Sequence, residues 1–389
     1  MLLHLIQDNI FTDTVIELFE TVAPNQNIYL LSDTKIVNNI KNIGRIKSAP
    51  YGTEAFWSFF DKSTVKAVII HGMTHQASMA IHKFSRDIHF HWMCMGYDLY
   101  GTYAELNSSL FQPETEHAIQ EYNKYRLSGF RKSVKEVIFK ITGSALDKGT
   151  LIKSAMNKIK TCSMVINEDF DLFKAVSGTK AEHYSFNYGY LEKLVPMNLE
   201  PHNNGQHILL GNSSAWTNNH LDAFQLLRNL CSKEKGVKVY TPLSYGDESC
   251  KKFVIKKGKE ILGDCFVPIT EFLPINAYTE ILKKCSIAIM NHNRQQAMGN
   301  IIILVWLGMR LYLKESNPIS HFLKRIGVTF FEINDGQYLA NAQALQPLSE
   351  PEIIENRKAL RNHYGKKLVL QRTNYLCEYL LNVSPNRTI

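Results

Sequence analysis

Between Asn291 and Pro318 the chain reads NHNRQQAMGNIIILVWLGMRLYLKESNP. Arg294 can bond a diphosphate bidentately and neutralise it. Gln295 and Gln296 add orienting donors. Gly299 lets backbone approach a ligand, and Asn300 opens an apolar helix whose first amides lack partners. Polar groups placed after a strand and before a helix suit an anionic ligand, because the helix dipole favours negative charge there. Glu315, Ser316 and Asn317 end the next strand and can accept hydrogens from sugar hydroxyls. A plain turn before Pro318 accounts for them as well.

A second set lies upstream. Gly211, Asn212 and Ser213 follow the apolar run HILL, where glycine admits a phosphate and the polar side chains donate to it. An ordinary strand-turn-helix connection explains the same residues. The loop is neither G-x-x-x-x-G-K-[ST] nor G-x-G-x-x-G, so an ATPase or dehydrogenase loses its main support. In the first half, His71 ends the run VKAVIIHG and Asp98 follows the run IHFHWMCMG. Either has the chemistry of a general base for a hydroxyl. Each has a structural alternative, His71 in packing and Asp98 as a helix cap. His75, His82 and His91 match no zinc spacing, so no metal is expected. Tyr184, Phe186, Asn187 and Tyr188 suit stacking on a base or sugar, or packing between domains.

These residues need elements to hold them. HLIQD, NIYLLS, VKAVIIHG, IHFHWMCMG and CSMVI read as strands. FTDTVIELFETV, GTEAFWSFFD and HQASMAIHKF read as helices, and NEDFDLF as an acidic turn. LEKLVPMNLEPHNNG breaks the pattern and reads as a linker. A second strand-helix series starts at HILLGNSS, with Thr217, Asn218 or Asn219 suited to cap the next helix. It continues through VKVYTPLSY, CFVPITEFL, KCSIAIMNHN, RLYLKES and VTFFEIND. The tail from Glu355 is helical. Repeated strand-helix units imply two mostly parallel sheets. The expected domains are 1–195 and 205–350, with 351–389 crossing back to the first, and strand-end sites in both halves sharing a cleft.

The chain has 389 residues, enough for two or three domains. Its seven cysteines are scattered, which argues for reduced thiols in the cytoplasm. No apolar run is long enough to span a bilayer, and the amino terminus lacks a basic leader. The net charge of +8 is concentrated. From Tyr122 to Lys160 there are ten Lys or Arg against Glu136 and Asp147. Arg131, Lys132, Lys135, Lys140 and Lys153 lie among apolar residues at helical spacing. That pattern suits an interfacial helix on an anionic membrane, or a solvated helix face. No motif supports nucleic-acid binding.

The chain resembles the bacterial TDP-N-acetylfucosamine:lipid II N-acetylfucosaminyltransferases, the 4-alpha-L-fucosyltransferase family. The likeness runs to about Phe331 and is best after His207. It rests on His71-Gly72, Trp92, Gly96-x-Asp98-Leu99-Tyr100, Gly211-Asn212-Ser213, Asn218-x-His220, Lys238-Val239, Pro242-x-x-Tyr245, Ala277-Tyr278, Arg294-Gln295-Gln296-x-x-Gly299 and Asn317-Pro318. Met93 and Met95 stand where the family carries histidine and tryptophan, so no role for that histidine transfers.

The resemblance implies two facing Rossmann-like domains of GT-B type. A nucleotide-diphosphate sugar, with TDP ahead of GDP or UDP, would sit on the second domain, with Tyr245 among its contacts. A deoxy-sugar of the fucose or N-acetylfucosamine type would pass to a lipid-linked or surface-polysaccharide saccharide. Arg294 and helix amides would oppose the leaving charge without a metal or other cofactor. The protein would be cytoplasmic and peripheral on the inner membrane face. A soluble transferase acting on a protein or small molecule is an alternative, as is a non-catalytic nucleotide-sugar binder. The oligomeric state stays open.

Overall fold

The computed structural model describes residues 1–32, 37–127, 148–195, 197, 200, 205–234, 236–333 and 346–383. The chain divides into two units. The first holds Met1–Asn107, Ser144–Lys193 and Tyr364–Ile389; the second holds Ser108–Gly143 and Leu194–His363. Segment 108–127 therefore belongs with the second unit, an excursion that no composition shift announces.

The first unit is built on β1 (Leu2–Ile6), β2 (Asn27–Leu31), β3 (Ile46–Ser48), β4 (Ala67–His71), β5 (His89–Met93), β6 (Thr161–Ser163) and β7 (Glu182–His183). Their order is β3-β2-β1-β4-β5-β6-β7, and every pairing is parallel. Buried on both faces, such strands need continuous apolar runs, and all five residues of β4 are buried. The order reverses between β1 and β4, the switch point at which open parallel sheets bind ligands. The helix Lys366–Asn382 joins this unit, burying Val369, Thr373, Leu376, Cys377 and Leu380. That spacing is one helical face. Gly365 separates it from the helix Glu350–Tyr364, so the helical tail is made of two helices.

The second unit repeats the plan. Here β8 (His207–Leu210), β9 (Val239–Pro242), β10 (Phe266–Ile269), β11 (Cys285–Met290), β12 (Arg310–Leu313) and β13 (Phe331–Glu332) form a parallel sheet. The order is β10-β9-β8-β11-β12-β13, with the reversal between β8 and β11. The run IIILVW lies in the helix Met298–Trp306, where most of it is buried.

NEDFDLF, expected as a turn, starts the helix Asn167–Ser177. Its Glu168 and Asp169 occupy the first turn, where carboxylates favour the helix dipole. Among the described residues, no helix is long and apolar enough to cross a membrane.

Candidate functional site

The second unit gathers three strand-end loops at its switch point. After β8, Gly211 takes φ +69°, and a Cβ there would lie 2.8 Å from His220 Nε2 and 2.9 Å from Asn218 Oδ1. Glycine is required both by the left-handed backbone and by the close approach. Asn218 shapes the loop. Its Oδ1 accepts from Asn212 N (3.1 Å) and its Nδ2 donates to Ser213 O (3.0 Å). Asn212 Nδ2 donates to Tyr245 Oη (2.9 Å), on the loop after β9. Ser214 N and Oγ both donate to Tyr245 O (2.8 Å each). From the loop after β11, Gln296 Nε2 donates to Asn212 Oδ1 (3.4 Å), and its Oε1 accepts from Thr217 Oγ1 (2.7 Å). Asn212, Tyr245 and Gln296, 84 residues apart at the widest, thus form one polar surface.

Arg294 is half-buried in that third loop and Gln295 is buried. His292, two residues before Arg294, is fully buried, and neither of its ring nitrogens has a partner. Burial, with Arg294 and His220 nearby, pulls its pKa down to about 3. Ala297 takes φ +58° and the helix Met298–Trp306 starts beyond it. Gly299 and Asn300 lie in its first turn. A Cβ on Gly299 would meet only Leu194 Cδ2, at 4.0 Å, an ordinary van der Waals contact.

Behind the loop lies a ring of buried amides. Gln112 Nε2 donates to Asn291 O (2.9 Å), Asn291 Oδ1 (3.1 Å) and Asn293 Oδ1 (3.1 Å). Asn291 Nδ2 donates to Gln112 Oε1 (3.2 Å) and Asn219 O (3.0 Å). Asn219 Nδ2 reaches Leu110 O and Asn291 O, both at 3.1 Å. Asp222 accepts from Glu114 N, Thr115 N and Thr115 Oγ1, holding the start of the helix Pro113–Leu127. Asn219 precedes its helix in a left-handed conformation, and its side chain makes no cap bond. The expected cap is spent on this ring instead.

Asn317 Oδ1 caps the following helix through Ile319 N (2.9 Å), and its Nδ2 donates to His292 O (2.9 Å). Its polar atoms are committed to structure. Glu315 and Ser316 beside it are exposed.

In the first unit, His71 closes β4 and is almost wholly buried. It lines a cavity of about 200 Å³ with Gln7, Ser32, Gly72, Thr74 and Gln76, at the ends of β1, β2 and β4. Its Nε2 lies 3.0 Å from His4 Nδ1, and its Nδ1 is buried without a partner. Burial pushes its pKa well below the ordinary histidine value, with smaller contributions from His4 and His91. Gly72 takes φ +82°, and a Cβ there would strike Tyr97 Oη at 2.6 Å and Gln7 Nε2 at 2.8 Å.

Asp98 is also buried, and its carboxylate is surrounded by donors. Oδ2 accepts from Met73 N and Trp92 Nε1, both at 2.8 Å. Oδ1 accepts from Met95 N (3.0 Å), Leu99 N (3.2 Å) and Cys94 Sγ (3.4 Å). Desolvation raises its pKa against these bonds. The carboxylate ties the loop after β4 to the loop after β5. His91 is held between Thr161 Oγ1 and Ser163 Oγ. The aromatic run packs inside this unit. Tyr184 stacks on Tyr375 and packs at a tilt against Tyr379, Phe186 packs at a tilt against Phe19, and Asn187 Oδ1 accepts from Arg372.

Residues 171–354 match the family model of the 4-alpha-L-fucosyltransferases, glycosyl transferase group 56. Over that stretch, just under half of the chain, it is similar to the 4-alpha-L-fucosyltransferase family. The chain is a glycosyltransferase. Three solved structures share its fold across nearly the whole chain. Sucrose-phosphate synthase from Thermosynechococcus elongatus is 10% identical with a TM-score of 0.67, covering 98% of this chain and 99% of that one. A glycosyltransferase from Rickettsia africae is 12% identical, TM-score 0.65, with 98% and 99% covered. The E. coli trehalose-6-phosphate protein bound with UDP-2-fluoro glucose is 10% identical, TM-score 0.63, with 99% and 100% covered. The architecture is GT-B, two Rossmann-like units.

In this glycosyltransferase the structure brings Gly211, Asn212, Ser213, Tyr245, Gln295 and Gln296 to one switch point, with Arg294 in the same loop. Of the basic residues, Lys153 lies in the helix Lys148–Met156 with its Nζ 5.0 Å over the Tyr103 ring. Arg131, Lys132, Lys135 and Lys140 fall outside the described residues. Sequence reasoning missed Gln112, Asp222 and Asn291, took Asn219 for a cap only, and in the first unit missed His4 and Asn27. Their partners are distant in sequence, so no spacing marks them.

Proposed function

We propose that the protein transfers a deoxy-sugar of the fucose or N-acetylfucosamine type from a nucleotide-diphosphate donor, TDP first, to a lipid-linked saccharide. The observation that carries this reading is the joining of Asn212, Tyr245 and Gln296 beside Arg294, on three loops that meet at one switch point. As the bond from the anomeric carbon to the diphosphate breaks, negative charge grows on the leaving oxygens. Arg294 and the first amides of the helix Met298–Trp306 oppose it. Gln296 and Tyr245 orient the donor, and Glu315 and Ser316 supply acceptors for its hydroxyls.

His71 suits the base better than Asp98. The bonds around Asp98 commit both its oxygens to Met73, Trp92, Cys94, Met95 and Leu99 of the surrounding fold, whereas His71 lines a cavity and carries an unpartnered nitrogen. The acceptor hydroxyl gives its proton to His71 as its oxygen attacks the anomeric carbon, which inverts. Asp98 then acts as a positioning residue that sets the loops on either side of the cavity.

The basic tract between Tyr122 and Lys160 supports approach to an anionic membrane surface. Each cation close to such a surface contributes about 1 kcal/mol.

A thermal-shift titration with TDP-, UDP- and GDP-linked deoxy-sugars tests the donor, and turnover on a polyprenyl-diphosphate saccharide tests the acceptor. A TDP-linked sugar should raise Tm most. The donor reading fails if none of the three raises it. Equal turnover on the free saccharide would remove the lipid from the proposal.

A further inference from the structure

We propose that His4 and Asn27 are positioning residues that hold His71 in the tautomer with a bare Nδ1, ready to take a proton from a hydroxyl in the adjoining cavity. The inference rests on the reading of His71 as the base.

The hydrogen-bond chain fixes each proton in turn. Asn27 Nδ2 donates to Ala23 O (2.8 Å) and Glu20 Oε1 (3.0 Å), with Phe19 O at 3.5 Å. All three neighbours are acceptors, so the amide cannot be turned over. Asn27 Oδ1 therefore faces His4 Nε2 at 3.2 Å. An amide oxygen only accepts, so His4 Nε2 carries the hydrogen. A neutral imidazole has one N–H, which leaves His4 Nδ1 bare. That lone pair faces His71 Nε2 at 3.0 Å, so His71 Nε2 carries its hydrogen and His71 Nδ1 carries none. Burial keeps both rings neutral.

The result is a buried acceptor with no partner. Such groups carry a desolvation cost and are rare in native proteins. A hydroxyl bound in the cavity would supply the missing donor. Packing holds the relay in register. His4 meets the Phe19 ring edge-on at 4.5 Å and Tyr29 at 4.7 Å, and lies nearly parallel to His71 at 5.3 Å. Gln7 Nε2 holds the His71 carbonyl at 2.8 Å. This is the logic by which the far nitrogen of an imidazole sets the role of the near one.

The step balances. The hydroxyl proton moves to His71 Nδ1, the oxygen's electron pair forms the bond to the anomeric carbon, and the old bond's pair leaves with the nucleoside diphosphate. His71 becomes an imidazolium whose Nε2–H still donates to His4. His4 and His91 are the titratable neighbours that weigh on its charge, and the Tyr188 ring lies 6.1 Å away.

The test combines ring-nitrogen NMR of the whole protein with kinetics of His4→Phe, His4→Asn and His71→Phe. His71 Nδ1 should resonate as an unprotonated nitrogen in the wild type. His4→Phe keeps the aromatic packing but removes the acceptor, so kcat should fall on the order of tenfold to a hundredfold with KM for both substrates unchanged. His4→Asn places an oxygen near the position of Nδ1 and should recover much of the loss. A protonated Nδ1 in the wild type would overturn the relay, as would wild-type kcat in His4→Phe. Should His4→Phe not fold, the wild-type spectrum and His4→Asn still decide: kcat in His4→Asn as low as in His71→Phe counts against the relay. Full turnover in His71→Phe would instead sink the base assignment itself. An inactive His71→Phe beside an unaffected His4→Phe would remove the relay alone.

Discussion

Gln112 and Asn291 exchange side-chain amide bonds across 179 positions of chain, Nε2 to Oδ1 at 3.1 Å and Nδ2 to Oε1 at 3.2 Å. The second partner stands three residues before Arg294. The segment that enters the second unit at Ser108 is thus fastened to the loop that carries the arginine.

Replacing Gln112 with Leu takes a donor from Asn291 Oδ1 and Asn293 Oδ1 and an acceptor from Asn291 Nδ2, and Asn291 is fully buried. We expect a loss of about 2–4 kcal/mol, because polar groups that lose partners keep their desolvation cost. Urea unfolding measures it. A change under about 0.5 kcal/mol, the scale of an ordinary surface substitution, would show that the ring carries no weight.

Arg294→Ala should lower kcat/KM several-fold to about a hundredfold or more while leaving Tm near that of the wild type, since a cation opposing the leaving charge is lost. Steady-state assays with saturating acceptor report this. Wild-type activity would reject the assigned site.

Asp98→Asn separates two roles for the carboxylate. The amide replaces one accepting oxygen with a donor, facing donors from Met73 and Trp92 or from Met95, Leu99 and Cys94. As a loop tie, Asp98 should cost about 2–4 kcal/mol of stability on this change, because charge-assisted bonds to buried groups are lost. Calorimetry decides. Unchanged stability with abolished turnover would make Asp98 the base and displace His71.

Acid should destabilise both units. His4 in the first, and His220 and His292 in the second, are held at about 3 by burial. The unfolded chain takes up protons as pH falls through 6.5, while the folded chain stays neutral until near 3. Stability is therefore full above pH 6.5 and is lost on acidification. Each histidine should cost about 1.4 kcal/mol between pH 7.5 and 5.5. Urea midpoints at those two values check the sign, and a flat response would contradict it.

The sequence shows the parallel sheets clearly, because strands such as AVIIH and CSIAIM are apolar at all but one position and buried throughout. Loops after such strands are legible too, and Gly211 and Arg294 stand at a switch point. What a side chain spends its bonds on is not legible. Asn317 looks like a ligand residue and is a cap; Asp98 looks like a base and is ringed by donors. Asn219 looks like a cap and holds a distant strand-end loop. Short polar residues offer the same groups in each role, and only the long-range partner decides between them.

The helix Lys366–Asn382 places part of the first unit's core near the far end of the chain. On the ribosome, Val15, Leu18 and Phe19 emerge long before Leu376 and Leu380, which share their cluster. The first unit must wait, incomplete, while the whole second unit is synthesised. A nascent chain halted before Lys366 would expose that apolar surface to chaperones, and a clone ending there would yield aggregate rather than a smaller enzyme.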